Sequence, residues 1–276
     1  MKTRIITSIL IVAIAIPTFI LSGTPVYPVV LALLSLRSVY EMLRVLRFDK
    51  KIGVAIPSYL MALVLPITAY FYRSEVKDFF VFCSICIYFY LLYLLMAAIV
   101  TRASIRFSSI ARVFCAASYV ILAFAALAII RYIENGEFVF VLPYICSWAS
   151  DVFALIVGSL IGKHKLIPEI SPKKTVEGSI GGVVFATIAM LLYGLVIGTF
   201  ANGVSVNYIL LGVMGFVLAL ISQAGDLIAS TIKREEGVKD YGNFLPGHGG
   251  ITDRFDSVYA VAFLALVVCV IFPPFV

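Results

Sequence analysis

Nine stretches of about twenty apolar residues follow one another along this chain, near 5–22, 25–43, 52–72, 79–100, 109–130, 138–161, 179–200, 206–229 and 255–275. A helix of that length crosses the hydrocarbon core of a bilayer. Of the 276 residues, 62% are hydrophobic and only 13% are charged, about half the share of an ordinary soluble domain. A water-soluble fold of this size cannot hide so many apolar side chains. A soluble globular enzyme and a disordered protein are both excluded. The expected fold is an all-α polytopic integral membrane protein with about nine transmembrane helices.

Two of the nine runs are irregular. The first has Lys2 and Arg4 ahead of it and an Ala13-Ile14-Ala15 segment, which resembles a secretion signal; it is read as an uncleaved helix. In the second, Arg37, Glu41 and Arg44 intrude, so its end is expected to lie along the membrane interface. The five cysteines all fall inside apolar runs, and Cys83 and Cys86 are read as small hydrophobes.

Lysine and arginine set the orientation. Of the 21, only Arg73, Lys77 and Arg131 fall on one side; the other 18 fall at the amino terminus and in the loops after spans 2, 4, 6 and 8. That places the amino terminus in the cytoplasm and the carboxyl terminus outside, in the inner membrane if the cell is bacterial. The net charge of +6 has no run resembling a nucleic-acid arm. It points to cytoplasmic loops and anionic lipid, and no nucleic-acid partner is expected.

The chain divides at this level into an amino-terminal transmembrane region, 1–137, of about five helices, and a carboxyl-terminal region, 138–276, of about four. In the second, acids stand in or against the spans: Asp151 inside the sixth, Asp226 near the cytoplasmic end of the eighth, and Asp253 and Asp256 at the start of the ninth. Its two long hydrophilic loops, 162–178 and 230–254, share the cytoplasmic side, and chemistry is expected there.

Asp253 and Asp256 are three apart at the start of the ninth span, so both can share one helical face. Asp226 stands near the end of the preceding span, at the same expected depth. Three carboxylates at a membrane boundary are costly unless cations neutralise them. Two readings follow: ligation of Mg²⁺-type ions, which take one or two carboxylates plus substrate phosphates, or ion pairing with Lys233, Arg234 and Arg254. The 230–254 loop adds Lys239, His248, Gly249 and Gly250. Basic side chains neutralise phosphates, and glycines let a ligand approach the backbone closely. In the other loop, Ser171, Lys173, Lys174 and Thr175 offer ammonium and hydroxyl donors suited to phosphate. The bland alternative for both loops is a basic, lipid-facing surface. Asp151 is read as a buried acid three residues after Trp148, functional or neutral and hydrogen-bonded. Gly158 and Gly162 are read as a helix-packing pair.

Ser230-Thr-Ile-Lys-Arg, Lys239-Asp-Tyr-Gly, Leu245-Pro-Gly-His-Gly-Gly and Asp253-Arg-Phe-Asp256 together resemble the carboxyl-terminal signature of phosphatidate cytidylyltransferases, or CDP-diglyceride synthases. Trp148-Ala-Ser-Asp151 and the lysine-rich 162–178 stretch are similar to that family too. The resemblance covers about 148–257; the first five spans match only in being apolar. The D-G-x-x-A-R pattern of enzymes that consume CDP-diacylglycerol does not occur.

The resemblance implies the reaction CTP + phosphatidate → CDP-diacylglycerol + pyrophosphate, with Mg²⁺ and room for a second cation. It implies Asp226, Asp253 and Asp256 as metal ligands, and Lys233, Arg234, Lys239, Arg254 and His248 beside them in catalysis. Asp151, Ser171, Lys173, Lys174, Thr175, Ser230, Gly249 and Gly250 would bind substrate. The amino-terminal spans would shape a lateral lipid entrance or a homodimer contact. Two rivals stand beside this reading: a CTP-dependent enzyme acting on a polyprenyl or other lipid, and an ion-coupled transporter using Asp151 and Asp226.

Overall fold

The computed structural model describes residues 2–100 and 106–276. Arg102 and the loop around it, counted above on the basic side, lie outside the described residues. Among the described residues ten α-helices follow in order: α1 Lys2–Ile20, α2 Val26–Val45, α3 Ile52–Phe71, α4 Val76–Val100, α5 Phe107–Ile129, α6 Gly136–Val139, α7 Leu142–Ile161, α8 Val176–Phe200, α9 Tyr208–Glu235 and α10 Thr252–Ile271. Eight membrane-crossing segments are long and apolar enough among the described residues, with Thr7–Ile20 of α1 a shorter apolar helix. The chain is an all-α, multi-pass integral membrane protein.

It divides into two compact units, and the division does not follow chain order. One holds residues through Tyr132 together with Glu236–Arg254; the other holds Ile133–Glu235 and Phe255–Val276.

In the first unit α5 is the core helix. Its Val113, Ala117, Val120, Ile121, Phe124 and Leu127 are fully buried, and its alanines let neighbouring backbones come close. Tyr27 of α2 donates its hydroxyl to the Leu127 carbonyl (3.1 Å). Ser58 of α3 and Tyr90 of α4 share a hydrogen bond of 2.7 Å. α4 carries exposed apolar residues such as Val81, Ile85, Phe89 and Met96, as a lipid-facing helix must. The end of α2 departs from expectation. The helix runs unbroken to Val45, and Glu41, Met42 and Leu43 are buried rather than laid along an interface. Arg37, one turn away, pairs with one Glu41 oxygen (3.1 Å), and the distant Thr252 amide donates to the other (2.9 Å), so the charge is satisfied inside the fold.

In the second unit the sixth apolar run is made in two pieces, α6 and α7. Pro143 opens α7, where a missing N–H costs nothing. α7 and α8 approach at the backbone: a Cβ on Gly178 would lie 2.6 Å from the Ala154 carbonyl and 3.0 Å from the Gly158 Cα. The packing role read for Gly158 is what the structure shows. The Phe153 and Phe185 rings stack across the same pair at 4.4 Å.

Both long loops are more ordered than their hydrophilicity implied. Residues 162–178 contain an antiparallel hairpin, β1 Lys165–Ile167 and β2 Ser171–Thr175, with Ile167 opposite Ser171. Thr175 has the extended backbone that an N-cap requires, and its hydroxyl accepts the Gly178 amide (3.1 Å), so strand passes directly into α8. Glu177 accepts the amides of Lys163 and His164 and pairs with the His164 ring (2.6 Å), closing the hairpin's base. In the other loop, Ser230, Lys233 and Arg234 are still on α9. Lys233 and Arg234 suit the last helical turn, and Gly237, at φ +69°, lies just beyond its end.

Candidate active site

The second unit contains an open cavity of about 420 Å³ where α7, α8, α9 and the hairpin meet. Asp151, Lys173, Lys174, Thr175, Gln223 and Asp226 are among the residues lining it. The Lys174 ammonium meets Asp226 Oδ2 at 2.7 Å, each side chain a quarter exposed. Ser230, one turn along α9, donates to the other oxygen of Asp226 (3.3 Å). Asp151 is half-buried rather than buried, and its Oδ2 accepts the Ser257 hydroxyl at 2.8 Å. Asp256 is buried, within electrostatic reach of Asp226, Lys233 and Asp151. Lys233 is buried as well.

A polar strut that the sequence reading passed over supports this cavity. Ser179 of α8 donates its hydroxyl to Gln223 Oε1. Gln223 Nε2 donates in turn to Ser150 Oγ (3.2 Å) and to the Ser179 carbonyl (3.0 Å). An amide inside an apolar span, three residues before Asp226, is the one sequence signal that could have pointed to it. Such a group needs all its partners in lipid.

Sites read from sequence distribute unevenly. Lys173, Lys174, Thr175, Asp151 and Asp226 come together around the cavity, whereas Ser171, at the start of β2, does not line it. Arg234 donates to the Ile170 carbonyl (3.3 Å), bracing the hairpin's turn.

In the first unit, the chain from Tyr241 to Asp253 folds around a carboxylate. Asp253 Oδ2 accepts the amides of Tyr241 and Gly250, both at 2.9 Å. Leu245–Gly249 closes as a tight turn, with the Leu245 amide donating to the Gly249 carbonyl (2.9 Å). Thr7 donates to the Pro246 carbonyl (3.0 Å), and Ser8 Oγ lies 3.3 Å from His248 Nε2. His248 Nδ1 is buried with no hydrogen-bond partner among the described residues. A Cβ on Gly249 would meet Asp253, and one on Gly250 would meet Glu41. What approaches these glycines here is the protein's own carboxylates. Lys239 and Arg254 are exposed.

Whether the residues fit a divalent cation turns on the donor set. No group of three or more His, Cys, Asp or Glu is arranged to hold a metal among the described residues. Mg²⁺ does not need three: one or two carboxylates suffice when phosphates complete the shell. Asp226 and Asp256, near each other in the second unit, meet that requirement.

Fold and cavity together define a class: a multi-pass membrane protein with ammonium, carboxylate and hydroxyl groups gathered in a pocket among otherwise apolar spans. Comparison with known proteins narrows it. The model of the cytidylyltransferase family matches residues 2–272, and the chain belongs to that family. Phosphatidate cytidylyltransferases of Staphylococcus haemolyticus and Staphylococcus saprophyticus are each 32% identical over 259 residues, which is 93% of this chain and 94% of theirs. That of Bacillus subtilis is 38% identical over 179 residues, 64% of each chain. The similarity therefore extends through the amino-terminal spans, well beyond 148–257. The chain is a nucleotidyltransferase of the membrane.

Proposed function

We propose that this chain makes CDP-diacylglycerol and pyrophosphate from CTP and phosphatidate. The observation that carries the reading is the pocket itself: Lys173 and Lys174 stand beside Asp226 in a cavity among apolar helices, in a chain whose relatives are named for acting on phosphatidate. A phosphate oxygen of phosphatidate attacks the α-phosphorus of CTP. The new P–O bond forms as the bond from the α-phosphorus to the bridging oxygen breaks, and pyrophosphate carries that electron pair away. A phosphate monoester is mostly dianionic near neutrality, its second pKa being about 6, so it needs little help from a base.

The difficulty is bringing two anions together, so the protein's task is positioning and charge neutralisation. Lys173, exposed on β2, and Lys174, drawn inward to Asp226, hold triphosphate oxygens. Thr175 keeps that strand end in register by capping α8. Ser257 orients the Asp151 carboxylate, and the Gln223 strut holds α7, α8 and α9 at fixed separation. Asp226 and Asp256 would hold Mg²⁺, which when bound draws charge off the phosphates. Asp253, three residues before Asp256 in the sequence, is kept as the third carboxylate of this proposal, which allows a second cation. Lys233, Arg234, Lys239, Arg254 and His248 are proposed as further phosphate-facing groups. The pocket faces the cytoplasm, where CTP is made, as the basic asymmetry supports; the bilayer is the inner membrane if the cell is bacterial, as those of the relatives named above are.

The test is direct. Purified protein in phosphatidate vesicles, with Mg²⁺ and labelled CTP, should give label extractable into organic solvent and an equal amount of pyrophosphate. No lipid-bound label with phosphatidate, but label with a polyprenyl substrate, would transfer the reading to another lipid.

A further inference from the structure

Glu41 is fully buried, in the last two turns of α2, in a chain solvated by lipid. A carboxylate so placed is kept only when its partners are complete. One oxygen takes the Arg37 Nε (3.1 Å), and the other accepts the backbone amide of Thr252 (2.9 Å), the first residue of α10. Thr252 also donates its hydroxyl to the Ser38 carbonyl (3.3 Å). Glu41 thus does for α10 what an N-cap side chain does, with its negative charge at the positive end of the helix dipole. Arg37 lies over the Phe244 ring at 4.6 Å and the Tyr40 ring at 4.9 Å, so the same pair also grips the middle of the loop.

The loop is cut to fit this carboxylate. A Cβ on Gly242 would stand 2.8 Å from Glu41 Oε1, and one on Gly250 would run into Oε2. Neither glycine has a positive φ, so what each supplies is space. The amide of Gly250, and that of Tyr241 beside Gly242, are the two that Asp253 Oδ2 accepts.

We propose that Arg37 and Glu41 form a brace that sets the shape of residues 241–252 and so positions Asp253, giving the amino-terminal spans a part in catalysis. Glu41 touches no substrate in this scheme; it is a positioning residue. The consequence for turnover rests on the proposed role of Asp253, whereas the brace itself does not.

The test combines amide exchange, kinetics and a double-variant cycle. In folded Glu41→Gln and Glu41→Ala proteins, amides of 241–252 should exchange about tenfold faster or more, while those of α3 to α5 stay as in the parent. In the same preparations kcat should fall about tenfold or more, as misplacement of a reacting group does, with the KM for CTP within about twofold because Lys173 and Lys174 lie on β2. Gly250→Ala should damage the parent protein strongly but add little to Glu41→Ala, since the carboxylate it strikes is gone. Unchanged loop exchange in folded variants, or full additivity of Gly250→Ala with Glu41→Ala, overturns the brace. Should neither Glu41 variant fold, Gly242→Ala and Gly250→Ala carry the test from the loop side: faster exchange confined to 241–252 supports the brace, and unchanged exchange refutes it. Exchange and the stability cycle need no turnover, so a parent without cytidylyltransferase activity would sink the enzymatic reading alone.

Discussion

Asp226→Asn separates the two readings of the carboxylates, because they predict effects of different size in different observables. The substitution keeps the shape and an oxygen for Ser230 to donate to, and removes the charge facing the Lys174 ammonium at 2.7 Å. As an ion pair alone, with each side chain 26% exposed, it is worth at most about 1 kcal/mol, the top of the range for partly solvated pairs. That corresponds to a fall of roughly 2–4 °C in Tm for a chain of this size, and the folded fraction would keep its activity. If the carboxylate carries a cation and aligns the triphosphate, its charge is needed in the transition state. Losing one such group costs about a hundredfold or more in kcat, roughly 2.7 kcal/mol of barrier. Thermal denaturation and Mg²⁺ titrations on the same preparations read both. The expected result is a protein within a few degrees of the parent in Tm, turning over at about 1% of the parent rate or less and requiring more Mg²⁺. A folded Asp226→Asn protein with parental kcat and parental Mg²⁺ dependence would refute the metal-ligand argument and leave only the pair with Lys174.

Three further outcomes are expected. Lys173→Ala and Lys174→Ala should each raise the KM for CTP by about tenfold, the value of one charge-assisted phosphate contact, with the KM for phosphatidate within about twofold; unchanged CTP dependence in both would return the hairpin to an ordinary basic loop. Ser257→Ala removes the 2.8 Å hydrogen bond to Asp151 and should lower stability by about 1–2 kcal/mol together with kcat/KM, read by thermal denaturation and initial rates; parental values of both would leave Ser257 without a role there. A single cysteine at Glu169, exposed in the hairpin turn of an otherwise cysteine-free chain, should resist an impermeant thiol reagent in intact cells and react after permeabilisation. Labelling in intact cells would invert the topology.

The class of this protein was legible in one dimension because the length of an apolar run is a local property. A run of about twenty apolar residues in lipid becomes a helix wherever its neighbours stand. The basic residues between runs bias orientation by the same one-dimensional count. The signature between Ser230 and Asp256 was legible for a related reason: its residue types and spacing are contiguous. The lysines of β2 and the carboxylate of Asp226, which precede that signature, were in view from residue type and position, but the Lys174–Asp226 contact at 2.7 Å was not. That required α8 and α9 to be set side by side, which depends on how closely the two backbones approach at Gly215, where a Cβ would lie 2.8 Å from the Thr187 Cα. Gln223 and Ser257 were missed because a lone polar residue in an apolar run looks the same whether it faces lipid, a cavity or a partner. Glu41 was misread in the opposite sense. By hydropathy a charged residue near the end of a span belongs at the interface, and only the arrival of Thr252, 211 positions further on, makes a buried carboxylate there stable. Period and composition decide which residues become helix; the partners that neutralise a buried charge come from distant parts of the chain, and only tertiary packing brings them together.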